Sequence, residues 1–252
     1  MTRMMRVLSV AALVAIAVAG GACSSDDDDD VESAAVSENT SEAAAAPADD
    51  AAAAPADGSA ASYAIDVWAD NWMEVFVNGQ SIGQDSTPFN TERSFNAERF
   101  TFSASAPFTL AIMARDYFET DSGLEYIGEP NQQRGDGGVI AQVTNLDTGE
   151  VVASTDSSWK LLVIHRAPLN ESCVKDANPD ETCESEISDA PSGWSGADFD
   201  DAGWSTPTVW SEAEVSPKDG YTQVDWDAAA KLIWGTDLHV DNTVLLRTSV
   251  TQ

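Results

Sequence analysis

From Tyr63 onward, apolar and polar residues alternate with a period near two, the spacing of strands buried on one face. Tyr63–Ala69 and Trp72–Val77 read as two strands. Asn78–Gly79 then predicts a tight hairpin into Ser81–Gly83, because both residues accept the positive φ of a type I′ turn. The same pattern predicts strands over Arg99–Ser103, Phe108–Ala114, Val139–Thr144, Val151–Ser154, Trp159–Ile164 and Val244–Val250, with Leu146–Gly149 turning the chain into Val151–Ser154. A 3.6-residue period is nowhere sustained, and the one helix predicted, over Trp226–Ile233, is short. Short strands between Gly, Asn and Asp turns imply an all-β, antiparallel sandwich.

The alternation is absent before residue 62. Arg3 and Arg6 precede an apolar run from Val7 to Ala19 that ends in small residues, the pattern of a signal peptide removed on export. The run closes on Ala19-Gly20-Gly21-Ala22-Cys23, which resembles a lipobox, although Gly20 stands where a bulky aliphatic residue is usual. Residues 1–22 are therefore expected to be a lipoprotein signal peptide, with Cys23 lipidated and holding the chain at the cell membrane on the extracytoplasmic side. Residues 23–61 continue with the Asp26–Asp30 run and an Ala/Pro/Ser/Glu mixture with no aromatic residue, Lys or Arg. Such a segment cannot bury enough apolar surface to offset its conformational entropy and is expected to be a disordered tether.

Residues 62–252 hold all eight tryptophans and are expected to form a single domain. The chain carries a net charge of −31; the tether has 11 of the 43 acidic residues and the signal peptide 2 of the 12 basic ones, which leaves 32 against 10 in the domain. No basic cluster exists to neutralise phosphates, so nucleic acid is excluded as a partner class and anionic lipid surfaces are disfavoured. A saline habitat, Ca²⁺ or a cationic partner would suit such a surface. With Cys23 assigned to lipid, Cys173 and Cys183 are expected to form a disulfide in an oxidising compartment.

Motif order adds a resemblance. The Val75-Phe76-Val77-Asn78-Gly79 hairpin, the strand around Leu110, the Gly137–Gln142 strand, Thr155-Asp156-Ser157-Ser158-Trp159-Lys160, Gly193-Trp194 and Phe199–Trp204 follow one another along the domain. This resembles the galactose-binding-like jelly roll and is similar to the N-terminal sugar-binding-type domains of bacterial α-L-rhamnosidases. The resemblance implies a fold more than a function, since that sandwich hosts sugar binders, protein binders and accessory domains. In those enzymes the catalytic carboxylates belong to a helical barrel, for which no counterpart is expected in residues 62–252, and the Asn170–Pro191 loop with its cysteines stands outside the shared pattern.

Two constellations could carry chemistry. Asp116, Glu119, Asp121 and Glu125 fall close together after a strand, an oxygen-rich set suited to Ca²⁺ though without EF-hand spacing; Asp66, Asp70 and Asn71 form a weaker second set. Trp68, Trp72, Tyr117 and Tyr126, with Asp70 and Asn71 nearby, are the candidate ligand-binding residues, because sugar rings stack on aromatics while carboxylates and amides bond their hydroxyls. Trp159, Trp204 and Trp234 are expected to pack in the structure instead. His165 and His239 lie in no catalytic context, and neither G-x-S-x-G nor H-E-x-x-H occurs. The expectation is a tethered, non-catalytic module for carbohydrate or another cell-envelope component, assisted by Ca²⁺. The alternatives are a protein-interaction or structural envelope lipoprotein and, after it, a small glycoside hydrolase.

Overall fold

The computed structural model describes residues 60–89 and 95–252. The expected signal peptide, Cys23 and the tether as far as residue 59 lie outside them.

The described chain forms β1 (Ala61–Asp70), β2 (Trp72–Val77), β3 (Gln80–Gln84), β4 (Ala97–Ala104), β5 (Phe108–Arg115), β6 (Leu124–Glu125), β7 (Gln133–Arg134), β8 (Gly138–Asn145), β9 (Val151–Ser154) and β10 (Lys160–Arg166). After a 3₁₀ turn at Glu171–Lys175 come α1 (Pro179–Thr182), β11 (Glu186–Ile187), β12 (Thr208–Trp210), α2 (Glu212–Val215), a 3₁₀ turn at Tyr221–Gln223, β13 (Leu232–Trp234) and β14 (Asp241–Val250). Two antiparallel six-stranded sheets make a sandwich: one ordered β12-β13-β8-β1-β4 with β9 beside β8, the other β11-β10-β14-β5-β2-β3. The β6–β7 ribbon stands apart from both.

Alternation decides which side chains meet between the sheets. In β2 Met73, Val75 and Val77 are buried while Trp72, Glu74 and Phe76 are half-buried on the other face. With Ile65, Val67, Leu110 and Ile112 these residues belong to the main core, which also holds Trp159 and Trp234 as expected. Asn78 and Gly79 both have positive φ, +48° and +83°, and close the β2–β3 hairpin where the sequence placed it.

The outer face of the second sheet carries a smaller apolar cluster, in which Trp194 covers Ala111 and Leu245 with Phe199 and Trp204 beside it. Arg247, buried on β14, pins the covering segment: it pairs with Asp201 at 2.8 Å and donates to the carbonyls of Trp194, Gly196 and Phe199. Cys173 and Cys183 are joined, tying the 3₁₀ turn at Glu171–Lys175 to the end of α1.

The helix expected over Trp226–Ile233 does not form. Asp227 accepts from the Ala229 N–H and the Ala230 N–H, which makes a single turn, and Leu232–Trp234 then enters the first sheet as β13. All three β13 residues are buried, so the segment reads as a continuous apolar run with no strand alternation. The short α2 was not legible as periodicity; its signature is the capping box of Ser211 and Glu214.

Candidate functional site

An open polar pocket of about 510 Å³ lies on the outer face of the first sheet. Antiparallel register sets Asp66 of β1 opposite Arg99 of β4, and one Arg99 nitrogen donates to both Asp66 carboxylate oxygens, at 2.6 and 2.7 Å. On the other side of Asp66, β8 supplies Gln142 and Thr144 to the same face. The Gln142 amide donates to the Asp225 carbonyl at 3.2 Å and accepts from the Asp227 N–H at 2.7 Å, which fixes the wall formed by Gln223, Val224 and Asp225. Glu98 on the rim accepts from the Ser86 N–H and from the Asn96 amide. The result is a set of preset donors and acceptors around an open hollow of ligand-pocket size.

At one end of the sandwich a second constellation is buried. Asp70 ends β1 and Asn71 follows it, Asp116 follows β5, and Glu125 lies in β6. Lys218, just after α2, places its ammonium 3.2 Å from Asp70 and 3.2 Å from Asp136. Burial pushes the Asp70 carboxyl up to about 7 against the opposing pull of Lys218. Burial also lowers Lys218, but the two carboxylates together outweigh it and its net shift is upward. Asp116 is wholly buried, and neither of its carboxylate oxygens has a hydrogen-bond partner among the described residues. Burial first, and then Asp70, Glu125 and Asp136, raise its carboxyl well above the ordinary range. The Tyr117 N–H offsets this only weakly, being committed to the Asn71 side-chain oxygen. Gly135 packs directly on Asp116, where a Cβ would fall 1.8 Å from Oδ2.

The Ca²⁺ set expected from sequence is therefore divided. Asp116 and Glu125 share the acidic cluster, whereas Glu119 is exposed and accepts from the Ile127 N–H, and Asp121 is exposed. The loop after β5 turns between them, so closeness in sequence is not convergence in space. Among the described residues no group of three His, Cys, Asp or Glu side chains converges as a metal-ligand set. The positive charge in the cluster is the Lys218 ammonium. The second set is divided too, with Asp66 in the pocket and Asp70 and Asn71 at the cluster.

Trp68 lies inside the core, away from any open surface. Its side chain is 0% exposed, and its indole N–H donates to the carbonyls of Phe95 and Asp219 under the edge of Tyr221. Tyr117 and Tyr126 are half-buried in loops beyond β5 and β6. Trp72 occupies a different surface: Trp72, Arg115, Thr243 and His165 form one cross-strand row over β2, β5, β14 and β10. Phe89 and Phe118 lie beside that row, the Phe89 ring 6.3 Å from Trp72 and 5.4 Å from Phe118, with Phe118 edge-on to His165 at 4.4 Å. Burial pulls the His165 ring below its ordinary value, so it is neutral near pH 7.

Arg99, Gln142, Arg115, Asp136 and Lys218 escaped the sequence reading, since each acquires its role from strand register or from a distant loop. The closest sequence signal was Asp66, already singled out one strand away from Arg99. Compared with known protein families, characterised proteins and solved structures, the chain matches none.

Proposed function

We propose that this chain is a tethered, non-catalytic binding module that holds carbohydrate in the pocket between Asp66, Arg99, Gln142 and Asp225. The observation that carries the reading is the pocket itself: a hollow of about 510 Å³ in which carboxylate, guanidinium, amide and hydroxyl groups are positioned by register and by one another. Sugar hydroxyls both donate and accept, and such an array meets them without rearrangement. The motif resemblance to galactose-binding-like jelly rolls supports the same reading. The basic and apolar leader closing on Cys23 supports export and a lipid anchor, which would hold the module outside the cytoplasm.

A glycan array of cell-wall and marine polysaccharides tests the reading, run with and without Ca²⁺ because Asp116 and Glu125 share the acidic cluster. Binding to a defined saccharide class is the expected result. Silence across the array in both conditions would remove the proposal.

A further inference from the structure

Arg115 is the exception among the described arginines. Arg99, Arg134, Arg166 and Arg247 each lie within ion-pair distance of a carboxylate, in a chain carrying 43 acidic residues, whereas Arg115 has no such partner among the described residues. Its guanidinium lies 3.7 Å from the Phe89 centroid and 5.5 Å from that of Phe118, stacked on rings in place of an anion. Its Nε is buried without a hydrogen bond, and burial lowers its affinity for the proton. No hydrogen bond among the described residues engages its terminal nitrogens, and these are not among the buried unpartnered atoms.

A partly desolvated guanidinium held by two rings is preorganised to donate two parallel hydrogen bonds to a planar anion, since its orientation is set before the ligand arrives. Thr243 and His165, its neighbours along the row, are buried, and His165 is neutral near pH 7, so the row adds no second positive charge. A single carboxylate fits that charge balance better than a doubly charged phosphate. Trp72 lies directly across the strand pair from Arg115 and is half-buried, leaving part of an indole at the same surface. An aromatic edge beside a carboxylate-seeking guanidinium suits a ring with an apolar C–H face and one acidic substituent.

We propose that the Trp72–Arg115 row is a second binding site, on the sheet opposite the Asp66–Arg99 pocket, and that its ligand is a hexuronate residue of an acidic glycan whose carboxylate docks on Arg115. The proposal rests on the carbohydrate reading for the nature of the ring but not on the pocket for its location. Arg115→Met keeps the aliphatic packing and removes the charge. Because the cation it deletes has no carboxylate partner, while the Met chain can still pack on Phe89 and Phe118, its melting temperature stays close to that of the parent, which separates loss of binding from loss of fold.

Titration calorimetry of the full chain with a short oligogalacturonate, and with the same oligosaccharide after reduction of its carboxyl groups, tests the site. The parent binds the acidic form more tightly by about tenfold or more, Arg115→Met abolishes that preference, and Arg115→Lys, which keeps charge but not the planar fork, retains part of it. Glu150→Gln, an exposed change in the turn between β8 and β9, leaves the preference in place. Equal affinity for the two oligosaccharides, or a preference that survives Arg115→Met, overturns the proposal, as does displacement of the sugar by an acidic peptide. Binding of the neutral oligosaccharide alone overturns this site and leaves the carbohydrate reading standing; binding of neither, with a silent glycan array, removes both.

Discussion

Asp70 and Lys218 stand 148 residues apart in the chain and 3.2 Å apart in the fold. The pair joins the end of β1 to the segment that follows α2, and Lys218 also reaches Asp136. One ammonium therefore serves a cluster in which Asp116 and Glu125 add further negative charge. Such an end is satisfied only while part of its carboxyl population stays protonated.

Stability is accordingly predicted to fall as pH rises. The folded pKa of Asp70, about 7, lies above its ordinary 3.8, so its stabilising contribution is complete below 3.8 and is lost as pH climbs through 7. Asp116 shifts in the same direction. Thermal unfolding at pH 5 and pH 8 is expected to give the higher midpoint at pH 5, from a difference on the order of a few kcal/mol in these groups. Asp116→Asn, which cannot ionise, flattens the profile; an unchanged slope in that variant would contradict the assignment.

Lys218→Met removes the cation from the same cluster. Asp70 is only 1% exposed, so ionising it without a partner is costly, and a loss of about 1–3 kcal/mol is expected at pH 8. At pH 5, where Asp70 is largely protonated, the penalty shrinks. Urea titrations at the two pH values check this coupling.

Trp68→Phe separates core from site. The variant loses the indole bonds to Phe95 and Asp219 and is expected to lose about 1–3 kcal/mol, while saccharide binding per folded molecule stays unchanged. A selective loss of binding with full stability would restore Trp68 as a ligand residue.

Arg247→Lys addresses the covering segment of the second sheet. An ammonium cannot reproduce a fork that spans Asp201 and three carbonyls, so about 2–4 kcal/mol is expected to be lost. Hydrogen exchange should quicken first between Trp194 and Trp204, ahead of β1 and β8.

What the sequence made legible follows from how local each signal is. The β2–β3 hairpin rests on Asn78–Gly79 and the β2 alternation on its own residues, and both appear where expected. β13 was misread because its three residues are all buried and its strand character comes from pairing with β12 and β8. The candidate sites divide in the same way. Asp66, Asp70, Asn71, Asp116 and Glu125 were identifiable as chemistry-bearing residues, but their grouping was not, since Arg99 meets Asp66 by register and Lys218 meets Asp70 through a distant loop. Trp68 and Trp72 were indistinguishable in sequence because burial of Trp68 depends on Phe95, Asp219 and Tyr221.

The pocket between Asp66 and Asp225 is the centre of the account, and Thr144→Val/Asp225→Asn tests it most directly. Neither side chain makes a hydrogen bond among the described residues that holds the sheet, so calorimetry with the tightest glycan from the array should show affinity reduced by about tenfold or more at an unchanged melting temperature. Undiminished affinity in that variant would place the saccharide elsewhere and contradict the assignment of the pocket.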